Sequence, residues 1–215
     1  MFPIKIWYVI APVSIVFCIL TINRNAEWKD NYTLFKADLQ KAPDDARLWY
    51  YLGYETKQTV LPEETTIAGK QQVMRDAIAC FQKALSIYPD YFEANRDLGN
   101  LFCQGLLFDS GEVHAKRALA HKPKEPSAWS DLGYVYFCEK KYDKTVALCR
   151  QALQISPHNA GIMNNLAICY LQMEAYDSAL AEAKTALQND PGNQLSLDNI
   201  AAAEKGMAKR DSVKK

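Results

Sequence analysis

The sequence predicts an all-α fold: a solenoid of about four helix-turn-helix repeats plus a capping helix, preceded by one N-terminal transmembrane helix. Three observations predict it. The skeleton Trp129, Leu132, Gly133, Tyr136, Ala152, Pro157 returns one period earlier as Asn95, Leu98, Gly99, Phe102, Ala118, Pro123, and one period later as Met163, Leu166, Ala167, Tyr170, Ala186, Pro191. A fixed period of this kind means stacked copies of one small unit. Pro89 joins Pro123, Pro157 and Pro191 at the same spacing, so the phase holds through four repeats. The chain opens with a long uncharged run, Ile6 to Ile22.

The repeated skeleton resembles the tetratricopeptide repeat (TPR), a helix-turn-helix unit, over roughly residues 46–206. The resemblance implies a right-handed α-solenoid whose first helices line a concave groove.

Composition narrows the function. Basic and acidic residues balance at 25 each, which leaves no electrostatic footprint for nucleic acid. None of the six cysteines, Cys18, Cys80, Cys103, Cys138, Cys149 and Cys169, forms a CxxC pair. Their expected role is as small buried apolar side chains rather than zinc ligands or a disulfide framework.

Residues 1–23 form the expected transmembrane helix. Counted from Phe2, the apolar stretch spans about 30 Å as a helix, the thickness of a bilayer core. Lys5 snorkels at one end, and Trp7 and Tyr8 suit the interface. Pro12 kinks the helix at low cost in a membrane. A cleaved signal peptide is the competing reading, but Leu20-Thr21-Ile22 lacks the small residues of a cleavage site. The flanking charges, Lys5 against Arg24, Lys29 and Lys36, give no clear orientation.

Residues 24–43 form a juxtamembrane capping helix, with Asn25 as N-cap and Pro43 as stop. Trp28, Tyr32, Phe35 and Leu39 share one face, which packs on the first repeat. Asn31-Tyr32-Thr33 is a glycosylation sequon by pattern alone. The run Arg24-Asn25, Trp28, Leu34-Phe35, Asp38, Pro43, Arg47, Leu52-Gly53 resembles the junction of last membrane helix and repeats in the transmembrane-and-TPR O-mannosyltransferase-like family and its bacterial relatives. That resemblance implies repeats on the periplasmic or lumenal side. The family's multi-spanning catalytic part is absent from this chain, so its activity does not carry over.

The first repeat, 44–91, carries about 12 extra residues around 59–69, expected either to lengthen its helices or to form a surface loop. Repeats two to four occupy 92–125, 126–159 and 160–192. In repeat two, Gly111 and Ala115 stand where alanine and a bulky residue are usual, which predicts loosened packing against the next pair. Residues 193–209 form a C-terminal cap, and 210–215 a disordered charged tail.

No catalytic constellation emerges. His114, His121 and His158 have no partner at ligand spacing and are expected at the surface or at helix ends. No phosphate loop, GxSxG or HExxH occurs. The expectation is a non-enzyme with no cofactor, no metal and no small-molecule substrate.

Function therefore falls to the groove. By the TPR resemblance, the positions after the Trp and Gly of the skeleton face it: Tyr50, Tyr54, Arg96, Asn100, Ser130, Tyr134, Asn164 and Ile168, with Phe137 and Leu171 a turn further on. This mixture of rings and hydrogen-bonding groups suits an extended peptide or protein partner. A clamp for a chaperone's C-terminal carboxylate is not expected. Arg96 and Asn100 fit it, but Asp131, Gly161 and Asn165 stand at its remaining positions. The expected function is a membrane-anchored TPR scaffold. The alternatives are the repeat region of a glycosyltransferase-like membrane protein and a secreted scaffold released by signal cleavage.

Overall fold

The computed structural model describes residues 4–27 and 29–213. All regular structure among them is helical. The chain divides into two units, Met1–Pro89 and Asp90–Lys215.

The first unit contains α1 (Ile4–Glu27), α2 (Asn31–Lys41), α3 (Ala46–Glu55), a π-helical turn (Thr56–Val60), α4 (Leu61–Glu63) and α5 (Ile67–Ile87). Among the described residues no helix is long and apolar enough to cross a membrane. The transmembrane helix expected over 1–23 is therefore not supported. Residues 1–3 lie outside the described residues. The continuous stretch of described side chains in α1 runs from 11 to 21. It rises about 16 Å, roughly half a bilayer core.

The capping helix starts later than its sequence predicts. α1 continues past Asn25 to Glu27, and α2 begins where Asp30 and Thr33 close a capping box. The Asp30 carboxylate accepts from the Thr33 amide at 2.7 Å, and the Thr33 hydroxyl accepts from the Asp30 amide at 3.3 Å. Two otherwise orphaned amides are thereby satisfied. Tyr32, Phe35 and Leu39 pack on α3 with Leu48, Trp49 and Leu52, and Phe35 stacks on Tyr51 at 5.4 Å between ring centres. Trp28, the first member of the stripe, lies outside the described residues.

The insertion lengthens the hairpin instead of looping out. α3 runs on through the π turn into α4, and a π turn absorbs extra residues without breaking the helix. Thr56 and Thr59 donate their hydroxyls back to the carbonyls of Leu52 and Glu55, each at 2.7 Å. Thr66 then caps α5, accepting from Gly69 N–H at 3.0 Å.

The second unit stacks three hairpins: α6 (Phe92–Gln104) with α7 (Phe108–His121), α8 (Pro126–Cys138) with α9 (Tyr142–Ile155), and α10 (Ala160–Gln172) with α11 (Tyr176–Asn189). α12 (Gln194–Val213) closes the row. Each first helix ends alike. Leu106, Lys140 and Glu174, each one repeat from the next, adopt φ of 61°, 61° and 57°. The next residue's N–H reaches back to the carbonyl of Phe102, Tyr136 or Tyr170, at 2.8, 2.8 and 2.9 Å. This left-handed closure caps the last carbonyls and turns the chain, and it usually employs glycine. Between hairpins, Trp129 donates its indole N–H to the Pro123 carbonyl at 2.9 Å, tying its helix to the preceding turn.

Repeat two is not loosened against the next pair: Ala115 and Leu119 of α7 pack with Leu132, Val135 and Tyr136 of α8. A Cβ on Gly99 would lie 3.3 Å from the Gly111 carbonyl oxygen, so two glycines bring α6 and α7 unusually close. His114 is half-buried in the middle of α7. Its Nδ1 lies 2.9 Å from the Asn95 side-chain oxygen, its ring stacks on Phe102, and burial lowers its pKa, with help from Arg117. Cys80, Cys103, Cys149 and Cys169 are buried. Burial pushes the thiols of Cys103 and Cys149 up to about 12 and holds them protonated. The tail is helical to Val213, because Arg210 donates to Asp177 of α11 at 2.8 Å and no breaker interrupts the cap. Lys214 and Lys215 lie outside the described residues.

Candidate functional site

In the second unit, α6 packs directly on α8, and α10 on α12. Polar side chains staple both contacts. At the first, the Asp131 carboxyl of α8 faces Asn100 and Arg96 of α6, both of which favour its ionised form. Arg96 also lies 3.8 Å from its neighbour Asp97. Burial pushes the Asp131 carboxyl up to about 6; Arg96 and Asn100 oppose this, while Asp97 and Glu125 reinforce it. One carboxylate oxygen, Oδ2, is buried without a partner. At the second contact, Asn199 of α12 donates to the Asn164 side-chain oxygen at 3.2 Å, and Asn164 donates to Ser196 Oγ at 3.0 Å.

Between α8 and α10 no such staple forms. Asn165 holds the repeat position of Asp131 and Asn199, yet its side chain is exposed. Ser130, at the position of Arg96 and Asn164, has a buried hydroxyl with no hydrogen-bond partner. A pocket of about 180 Å³ occupies this gap. Ser130, Tyr134 and Phe137 form one wall, and Asn165, Ile168 and Cys169 the other. Gly133, Thr145 and Cys149 form the floor, where Thr145 donates to the Gly133 carbonyl at 3.1 Å. Tyr134 is 39% exposed at the rim. Burial, a hydrogen bond with Cys138 and nearby thiols push its phenol up to about 12.

The structure therefore gathers Ser130, Tyr134, Phe137 and Ile168 into one pocket and sets Arg96 and Asn100 at the neighbouring α6–α8 contact. Two sequence candidates do not line a groove. Tyr50 is buried against Phe81 at 5.7 Å between ring centres, and Asn164 is consumed by α12. Tyr54 lies half-buried on α3 beside Tyr50, within the first unit. Leu171 is half-buried near the end of α10. Sequence reasoning gives Asn165, Cys149 and Cys169 other roles and misses their place in the pocket. Thr145 carries no signal that separates it from an ordinary helix residue.

Residues 107–160 and 137–203 match two family models, both described as tetratricopeptide repeat. Tetratricopeptide repeats are thus matched over residues 107–203. Solved structures agree in fold. The TPR protein TTC0263 of Thermus thermophilus superposes with a TM-score of 0.64 at 20% identity, covering 85% of this chain and 94% of that one. MamA gives 0.58 at 17% identity, covering 78% and 85%. YrrB, described as a TPR protein with an unusual peptide-binding site, gives 0.55 at 15% identity, covering 82% and 84%. At these identities the likeness shows the fold. No curated protein matches the chain, so the resemblance of residues 24–53 to the O-mannosyltransferase-like junction rests on its own residues. The α8/α10 pocket lies within the matched residues, between the α8–α9 and α10–α11 hairpins.

Proposed function

We propose that the chain is a membrane-anchored TPR scaffold that holds a protein or extended peptide along the first helices of its second unit. The observation that carries this reading is the α8/α10 pocket, where two rings and an unpartnered hydroxyl converge between repeats. Extended peptides are bound by such alternation of apolar pockets and backbone hydrogen-bonding groups. The peptide-binding site in YrrB's description favours the same use of the fold. Peptide display against the full chain tests it. Enriched peptides should lose about tenfold or more in affinity on Phe137→Ala, which removes a ring from the pocket wall. A display that enriches nothing above background rejects the reading.

The anchor rests on α1. Val13, Ile15, Val16, Phe17, Ile19 and Leu20 are all exposed, a continuous apolar surface that water disfavours and lipid accepts. The junction resemblance favours repeats on the periplasmic or lumenal side. Liposome flotation measures the anchor directly. The full chain should float and a chain beginning at Arg24 should not; flotation of neither removes the membrane from the proposal.

A further inference from the structure

We propose that the pocket between α8 and α10 takes one aromatic side chain, phenylalanine or tyrosine, from the partner polypeptide, so that it acts as the selective subsite of the groove. The proposal rests on the peptide-binding reading above and names the chemistry that reading selects.

The size fits a ring. The pocket holds about 180 Å³, and an apolar cavity on the order of 150 Å³ admits benzene. The lining favours a ring over an aliphatic chain. Tyr134 and Phe137 present aromatic surface for offset or edge contacts. Cys149 from the floor and Cys169 from the facing wall present polarisable sulfur. No lining residue is charged, so a lysine or glutamate would enter without a counter-charge and lose its hydration. Ser130 completes the site. Its hydroxyl is buried without a partner, and a phenolic O–H from an entering tyrosine would supply one. Phenylalanine leaves that hydroxyl as it already is, so both rings are accepted.

The pocket exists because a staple is missing. Asp131 with Asn100 closes α8 on α6, and Asn199 with Asn164 closes α12 on α10. The same repeat positions between α8 and α10 leave the space open, and the resulting lining carries no charge.

The test uses the full chain in lipid nanodiscs and ligand-observed fluorine NMR of N-acetyl-4-fluorophenylalanine amide, with empty nanodiscs as blank. The expected result is line broadening above the blank, reversed by N-acetyl-phenylalanine amide and by N-acetyl-tyrosine amide but not by N-acetyl-lysine amide. Ser130→Ile, which fills the pocket, should weaken the probe by about tenfold or more, the worth of burying one ring. Ser130→Ala, which leaves the pocket open, should keep it. Neither substitution removes a hydrogen bond, and circular dichroism melts check that both variants fold. If Ser130→Ile unfolds, Ser130→Val takes its place. No broadening above the blank, equal competition by the lysine amide, or undiminished binding to the filled variant each overturns the proposal. If the probe binds but display yields no peptide, the pocket stands and the groove reading falls. If displayed peptides lack an aromatic residue and bind the filled variant unchanged, the groove stands and the aromatic subsite falls.

Discussion

Gly111 of α7 sits so close to Cys103 of α6 that a Cβ added to it would lie 2.8 Å from the cysteine sulfur. The same added atom would lie 3.1 Å from the Gly99 carbonyl. The glycine that looks like a defect in the helix is what lets the hairpin close.

Gly111→Ala therefore sets two effects against each other. Alanine gains about 1 kcal/mol of helix propensity over glycine. Forcing a methyl into a closed contact costs about 1–3 kcal/mol. The crowding wins, because one clash is with backbone that does not yield. Chemical denaturation should show a net loss of about 1 kcal/mol. Cys103→Ala, combined with it, should recover part of the loss, since the sulfur is the nearer obstacle. A Gly111→Ala variant more stable than the parent would refute the close contact.

Lys140 offers the opposite trade. Its left-handed φ of 61° closes the α8–α9 turn. A side chain in that region costs about 1 kcal/mol, and glycine avoids the cost. Lys140 is exposed, so its side chain contributes little packing. Lys140→Gly should raise stability by about 0.5–1 kcal/mol, read as a higher denaturation midpoint with an unchanged slope. Lys140→Val, which tolerates this conformation poorly, should lower it.

These two cases show what a single sequence makes legible. The repeat phase locates every hairpin of the second unit, because the core positions recur. The turn closures are invisible, because Leu106, Lys140 and Glu174 share a backbone conformation and no chemistry. Register names the side chains expected to face a groove, but not the neighbours that cover them. Asn164 holds a register that the TPR resemblance assigns to the groove, yet α12 follows it with Ser196 and Asn199 and absorbs its hydrogen bonds. Tyr50 is likewise covered by its own hairpin's Phe81. The pocket itself is not legible, because Asn165 and Asn199 are the same residue at the same repeat position. Only the partner across the helix contact decides which one bonds.

Asn164→Ala tests that assignment. Removing the side chain leaves Ser196 and Asn199 buried and short of partners. Each unsatisfied polar group of this kind costs about 1–3 kcal/mol. The loss should localise to the cap: amide exchange should quicken along α12 while α8 and α9 keep their protection. Affinity for displayed peptides should stay the same. A fall in peptide affinity with unchanged exchange in α12 would return Asn164 to the groove.

Asp131 makes the stability of the second unit depend on pH. Its folded carboxyl is raised to about 6, chiefly by burial, against about 3.9 in an unfolded chain. A raised carboxyl binds its proton more tightly in the folded state. Between pH 4 and 6 the folded state therefore holds more protons than the unfolded one, and this group's contribution falls as pH rises. At pH 7 the ionised side chain is a net cost. It is incompletely compensated, because Arg96 and Asn100 are offset by Asp97, Glu125 and an unpartnered oxygen. Asp131→Asn keeps the shape and removes the charge. The variant should be more stable than the parent at pH 7 by about 1–3 kcal/mol, and the difference should shrink towards pH 4. Paired denaturation curves across pH 4 to 7 measure it. A difference that grows on acidification would mean that Asp131 is held ionised by Arg96, and that the α6–α8 staple is an ion pair.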